Sequence, residues 1–305
     1  MPVSDRRLDV VRQAVAIVVH TVADLHRAWV HRRVAIVTGG ASGIGRATVE
    51  QLVARGLGVV AVDLSLDRFD WIPTDAPIVP LALDVTDEPS NTAMTAAAVQ
   101  HFGRLDVAVL NAGMPGGGTI ENLDMEVFDR VWDLNVRAVA LGIRACAPAM
   151  RSTGAGSIIT IGSTSGLGGE PRRWAYNTSK AAVINMSRAA AMDLALDRIR
   201  VNVVCPGPVH TGMTAKFRGQ EGYETLRQMI PLQRWGDADE VASAVVHFRL
   251  SQLAAVEAEA AALGVPVAEV RHRLRRLRSA IAAGRADEQS AAMLEGLTRL
   301  STRMN

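Results

Sequence analysis

Apolar residues follow two rhythms along this 305-residue chain. Short, nearly continuous apolar runs occupy 34–38, 57–62, 79–83, 105–110, 157–161 and 200–204. Runs of this length rich in Val, Ile and Leu predict parallel strands buried on both faces. The stretches between them predict helices. Residues 46–55 continue from a glycine-rich turn, and a long helix is expected around 128–150. A further helix is expected over 172–196, where Ala181, Ala182 and Ala189 to Ala191 favour helix and Met186, Leu194 and Leu196 supply apolar positions. Strand–helix alternation of this kind predicts an α/β fold, a parallel sheet with helices on its faces.

The ends of the chain have a different pattern. Leu8, Val11, Val15, Val18, Val22, Leu25 and Trp29 recur at intervals of three and four, the stripe of an amphipathic helix. After about residue 248 come Leu253, Val256, Ala260 and Leu263, then Val267, Val270, Leu274, Leu277 and Ile281. A last stripe runs through Met293, Leu297, Leu300 and Met304. Three parts are therefore expected: a helical extension over 1–31, a sheet domain over 32–248 and a helical segment over 249–305.

Two stretches carry candidate chemistry. The first strand runs into Gly39-Gly40-Ala41-Ser42-Gly43-Ile44-Gly45, with a helix after it. Glycines let a backbone approach a pyrophosphate, and a helix N-terminus offers free N–H groups. The alternative for the same stretch, before other motifs are counted, is a strand–turn–helix link with no ligand. The second stretch is Tyr176-Asn177-Thr178-Ser179-Lys180. On a helix Tyr176 and Lys180 share a face, and a lysine charge beside a phenol is expected to lower the phenol pKa. A surface tyrosine with a lysine four residues on is common, so that pair gains weight only from what stands upstream.

In order, Thr38-Gly39-Gly40-Ala41-Ser42-Gly43-Ile44-Gly45, Asp84-Val85, Asn111-Ala112-Gly113, Asn135, Ser163, Tyr176 to Lys180 and Pro206-Gly207-Pro208-Val209-His210-Thr211 resemble the classical short-chain dehydrogenase/reductase family. The resemblance covers roughly 32–248 and includes the thirteen residues from Ser163 to Tyr176. It implies a Rossmann-type doubly wound sheet and an oxidoreductase moving hydride between a nicotinamide cofactor and a secondary alcohol or ketone. Tyr176 would be the proton donor or acceptor, Ser163 would hold the reacting oxygen, and Lys180 would bond the nicotinamide ribose. Asn135 would complete a water-linked proton route. Thr38, Gly39, Ser42, Gly43, Ile44, Gly45, Asp63, Asp84, Val85, Asn111, Ala112, Gly113, Pro206, Gly207, Val209 and Thr211, with Tyr176 and Lys180, would line the cofactor. Asp63, eighteen residues beyond Gly45, would accept the ribose hydroxyls and repel a 2′-phosphate. Ser42 and Leu64 add no positive charge, so NAD is expected over NADP. Substrate lining is expected from 114–119, 164–174 and 208–230, with Trp174 as an apolar wall and Arg172 and Arg173 facing water or an anionic substrate.

The family's seventh strand and its C-terminal turn have no counterpart after 248. The terminal helices are expected to replace that strand's burial, within one subunit or across two, as a homo-oligomer altered from the usual tetramer. A catalytically impaired NAD-binding protein is the alternative this departure raises. Another follows from Ala262-Leu263-Gly264-Val265 and Arg271, Arg273, Arg275, Arg276 and Arg278, which resemble a DNA-binding helix-turn-helix. The net charge of +2 argues against wholesale nucleic-acid binding. Cys146 and Cys205 give no disulfide framework, and the seven histidines show no metal-ligand spacing. The uncharged run 13–23 is too short to span a bilayer, so a cytoplasmic location without a membrane partner is expected.

Overall fold

The computed structural model describes residues 33–215, 219 and 221–250. The N-terminal stripe, the C-terminal stripes and the arginine cluster at 271–278 lie outside the described residues.

Six parallel strands form one sheet: β1 Val34–Thr38, β2 Gly58–Asp63, β3 Ile78–Ala82, β4 Val107–Leu110, β5 Gly156–Ile161 and β6 Ile199–Val204. Their spatial order is β3-β2-β1-β4-β5-β6. The order reverses between β1 and β4, which opens a crevice at their C-terminal ends where ligands of such sheets sit. Among the described residues nothing pairs with the outer edge of β6.

The unbroken apolar runs have a direct explanation in β1. Its alternate side chains serve opposite faces. Val34 and Ile36 enter one core with α2 (Glu88–Phe102), α4 (Ala138–Thr153) and α5 (Trp174–Leu194). Ala35 and Val37 enter a second core with α1 (Gly43–Ala54) and α7 (Ala238–Leu250). A strand covered on both sides needs no polar face. Strand positions match expectation to within a residue or two, the largest difference being that β4 begins at Val107 rather than at Leu105; Leu57 likewise lies before β2 and is fully buried.

Two expected helices differ from their sequence reading. The long one is interrupted: α3 (Met125–Trp132) passes through a π-helical turn, Asp133–Arg137, into α4. Asn135 lies in that turn, the kind of widened turn often found at functional sites. The helix expected from 172 begins at Trp174, because Arg172 adopts a left-handed backbone with φ of 61° that no helix accommodates. Beyond β6, a two-stranded pair, β7 Val209–His210 and β8 Gly236–Asp237, precedes α7 and brackets α6 (Glu221–Met229). Stacking of Tyr223 on Trp235, with centroids 4.6 Å apart, and of His210 on Trp235 at 5.6 Å ties this small lobe together.

α5 approaches the sheet unusually closely. Ser179 and Ser187 are small, buried helix positions, and Ser187 shares a 2.7 Å hydrogen bond with Thr160 of β5. The turn after β5 passes so near the helix that a Cβ on Gly166 would lie 2.6 Å from the Lys180 carbonyl carbon. Gly166→Ala is therefore expected to push the turn off α5 and lower stability by about 1–3 kcal/mol, measured by urea unfolding.

Candidate active site

The glycine-rich turn leaves β1 with Gly39 at φ 64° and Gly43 at φ 53°, backbone that residues with a Cβ adopt only under strain. Gly45 has no room for a side chain, since a Cβ there would lie 1.9 Å from the Gly39 carbonyl oxygen. Ser42, the residue before α1, makes no side-chain cap, so the first turn of α1 presents free N–H groups with Ile44 on it. Thr38 is buried and accepts from the amides of Asn111 and Ala112 at 3.0 and 3.1 Å. Asn111 returns the contact by donating to the Thr38 carbonyl at 2.9 Å. These bonds lock the ends of β1 and β4 together at the reversal point of the sheet.

Asp63 ends β2 with its carboxylate accepting from the amides of Ala41 at 3.2 Å and Leu64 at 2.9 Å. Asp84 accepts from the Thr86 amide and hydroxyl, while the cap of α2 is Asp87. Val85 is buried next to it. Pro206 accepts from the Thr164 amide through its carbonyl at 3.0 Å, Gly207 is exposed, Val209 is buried, and Thr211 lies beside Gly43. The expected cofactor positions thus converge on one crevice. The glycine cradle, the free N–H groups and the Asp63 carboxylate fit a dinucleotide.

Ser163, Tyr176 and Lys180 come together at the end of β5. Ser163 is buried, its oxygen accepts from the Ser165 amide at 3.1 Å, and its hydroxyl lowers the pKa of the Tyr176 phenol. Lys180 is buried, its Nζ donates to the Ile161 carbonyl at 2.8 Å, and it lies 5.7 Å from the Tyr176 ring centroid. Asn135 is fully buried and clamps three segments. Its Oδ1 accepts from the Met114 amide, and its Nδ2 donates to the Met114 carbonyl and to Ser179. Gly113 fits between Asn135 and Lys180, with the Asn135 oxygen 3.1 Å and Lys180 Nζ 3.5 Å from where its Cβ would stand.

The electrostatics correct the expectation for the phenol. Burial raises the Tyr176 pKa above its ordinary value, opposed by the Ser163 hydrogen bond and the Arg173 charge. The cation that acts on the phenol is thus Arg173, whose guanidinium lies 4.9 Å from the ring centroid, in place of the expected lysine. Lys180 is itself pushed down to about 8 by burial. Its ammonium is engaged by the Ile161 carbonyl, with the Cys205 thiol acting on it from beyond β6.

Sequence reading also missed a second cation. Arg68 pairs with Asp63 at 2.7 Å and reaches Ser42 at 3.4 Å. The short 3-10 turn Leu66–Phe69, capped by Ser65, folds it back to the strand end. That Ser-x-Asp turn just after Asp63 was the available signal. Arg173 belongs to the same class of omission: each cation stands three to five residues from the group it touches, but a turn rather than a helix or strand period brings the two together.

Lys180 makes a measurable demand on the fold. Its folded-state pKa of about 8 lies below the ordinary 10.5, so the folded protein binds fewer protons across that window and stability rises with pH there. Below about pH 8 the buried charge costs the full amount, about 3 kcal/mol. Lys180→Met is expected to raise stability at pH 7 by about 1–3 kcal/mol and to flatten its pH dependence between 8 and 10.5, read by denaturant melts.

Residues 39–260 match the family described as "Enoyl-(Acyl carrier protein) reductase". The 2-(R)-hydroxypropyl-CoM dehydrogenase of Xanthobacter autotrophicus is 40% identical over 224 residues, 70% of this chain and 90% of the relative. The trans-4-hydroxycyclohexanecarboxylate dehydrogenase of Sinomonas cyclohexanicum is 37% identical over 71% of this chain and 85% of its own length. The crystal structure of levodione reductase superposes with a TM-score of 0.66 at 29% identity, covering 72% of this chain and 90% of that one. With this sheet order, this crevice and these relatives, the chain belongs to the short-chain dehydrogenase/reductase family of oxidoreductases.

Proposed function

We propose that the chain is an NAD-dependent dehydrogenase/reductase in which Tyr176 transfers the proton between solvent and the oxygen of a secondary alcohol or ketone. The observation that carries this reading is the meeting of the buried Ser163, at the end of β5, with Tyr176 and the buried Lys180 of α5, whose Nζ lies 5.7 Å from the Tyr176 ring centroid. When bound, a nicotinamide dinucleotide supplies or accepts the hydride. Gly39, Ser42, Gly43, Ile44 and Gly45 would hold its pyrophosphate on the N-terminus of α1, between Thr38 and Asn111 to Gly113. Asp84 and Val85 would border the adenine, and Pro206, Gly207, Val209 and Thr211 the nicotinamide side.

Ser163 orients the reacting oxygen and Tyr176 gives it a proton in reduction or takes one in oxidation. Lys180 bonds the ribose, and the positive charge acting on the phenol is that of Arg173. Asn135 holds the Met114 backbone and Ser179 in place around Lys180, which supports a role in keeping the proton route open. The phenolate is the acceptor in oxidation, and burial raises its pKa, so oxidation is expected to gain with rising pH.

The small-molecule substrate would lie against Trp174, tilted against Phe128 with ring centroids 5.6 Å apart, and against the lobe carrying Thr211 and Met213. Two relatives act on hydroxylated compounds by name, 2-(R)-hydroxypropyl-CoM and trans-4-hydroxycyclohexanecarboxylate, which supports an alcohol or ketone here. The division into 1–31, 32–248 and 249–305, a homo-oligomer and a cytoplasmic setting belong to the same reading. Among the described residues no helix is long and apolar enough to cross a membrane.

The buried, amide-held Asp63 supports NAD, because a 2′-phosphate would meet its carboxylate. Arg68 favours a second reading, in which its cation softens that repulsion and admits NADP. Titration of the protein with NADH and NADPH is expected to show NADH tighter by about tenfold or more. Asp63→Asn should narrow that gap and Arg68→Ala widen it, whereas tighter NADPH binding would make NADP the cofactor. In turnover assays over a panel of secondary alcohols, Tyr176→Phe should lose about 10²- to 10⁴-fold in kcat with NADH binding unchanged. Near-normal turnover would remove Tyr176 from the proton step.

A further inference from the structure

Between β5 and α5 the chain builds a set of contacts that proton transfer by Ser163, Tyr176 and Lys180 does not itself require. Glu170 sits in the connection, and its two carboxylate oxygens are split between partners. Oε1 accepts from the Ser165 hydroxyl at 2.6 Å, and Oε2 accepts from Arg173 Nη1 at 2.6 Å. The Glu170 carbonyl accepts from Asn177 Nδ2 at 2.7 Å, so backbone and side chain are both held. Hydrogen bonds to a charged carboxylate are among the stronger ones a side chain makes.

Each end of this pair reaches the candidate catalytic groups. On one side, Ser165 donates its amide to the Ser163 oxygen. On the other, the Arg173 guanidinium lies over the face of the Tyr176 ring, where the ring quadrupole attracts a cation. Ser163 in turn acts on the Tyr176 phenol and lowers its pKa.

The backbone around Arg173 is held as tightly as its side chain. Arg172 has φ of 61°, and Arg173 forms a parallel bridge with Gly118, itself at φ 106°. Arg173 stands at the N-cap of α5 without capping it. A left-handed arginine persists only where surrounding contacts over-determine it. Here those contacts aim the next side chain at the phenol.

We propose that Glu170 and Arg173 are positioning residues, an ion pair that holds Ser163 through Ser165 on one side, stands over the Tyr176 ring on the other, and presents one positive and one negative charge to the phenol. This rests on the reading that Tyr176 carries the proton, but it concerns the phenol itself and is measurable without a substrate. The charged and titratable groups facing Tyr176 are Arg173 and Lys180 from its own helix and Glu170 from the preceding connection; Cys205, beyond β6, acts on Lys180. The Arg173 charge favours the phenolate and the Glu170 charge opposes it. Loss of a contact that only braces the loop would not reverse sign between the two.

The chain has two tyrosines, Tyr176 and Tyr223. In the full-length protein carrying Tyr223→Phe, the ultraviolet absorbance of tyrosinate therefore reports Tyr176 alone. Arg173→Met is expected to move its titration to higher pH, and Glu170→Gln to lower pH. At a fixed pH below the midpoint, each ionised fraction should differ from the parent by about threefold, the scale of a half-exposed ion pair. Circular dichroism and NADH titration establish that each variant is folded. Movement in opposite directions supports the positioning role. No movement, or movement of both in one direction, overturns it. Tyr176→Phe turnover tests the underlying reading separately, since a catalytically irrelevant Tyr176 would still titrate as described here.

Discussion

A lysine ammonium buried against a main-chain carbonyl is the constraint on which the rest of this structure depends. Lys180 donates to Ile161 at the last residue of β5, which requires α5 to lie almost on the sheet edge. That approach is possible because the contact positions are small. Ser179 and Ser187 face inward from the helix, and Gly166 lets the returning turn pass the Lys180 backbone. A charge so placed is unfavourable in itself, since burial penalises the ammonium more than one hydrogen bond restores. The fold carries that penalty because the same geometry sets Tyr176 one helical turn away, beside Ser163.

The site that results is electrostatically divided. Burial lifts the phenol and lowers the lysine to about 8, so the pKa values of the two groups, close together in water, move apart. Around them the protein distributes fixed charges: Asp63 with Arg68 at the end of β2, and Glu170 with Arg173 before α5. Each pair joins residues across one short connection, and each turns a local loop into part of the crevice. The π-helical turn serves the neighbouring helix in a comparable way, aiming Asn135 at Met114 and Ser179.

The crevice itself follows from sheet topology. Thr38 and Asn111 terminate β1 and β4, adjacent strands whose connections run in opposite directions. Their mutual hydrogen bonds stiffen the floor on which Gly39, Gly43 and Gly45 bend. The small lobe beyond β6 is held by aromatic stacking among His210, Tyr223 and Trp235, a softer attachment than the strand ladder beneath it. Rigid floor and softer lobe are a reasonable division of labour for a protein that must admit and release small molecules.

The sequence by itself determined the strands, the glycine turn and the Ser163, Tyr176 and Lys180 set. Those features depend on local rules: apolar runs for strands buried on both faces, glycine where a Cβ would collide, and side chains one helical turn apart. It did not reveal that Leu57 lies outside β2, that α3 and α4 are parted at Asn135, or that α5 starts after a left-handed Arg172, because the competing local states differ little in propensity. Nor did it reveal the direction in which Tyr176 shifts. Lys180 is adjacent on the helix, yet burial raises the phenol, and the charge that opposes the rise is that of Arg173. Arg68 on Asp63 and Glu170 on Ser165 were hidden for the same reason. Desolvation and the meeting of charges across turns are set by three-dimensional distance and by exclusion of water, and only the tertiary structure decides those.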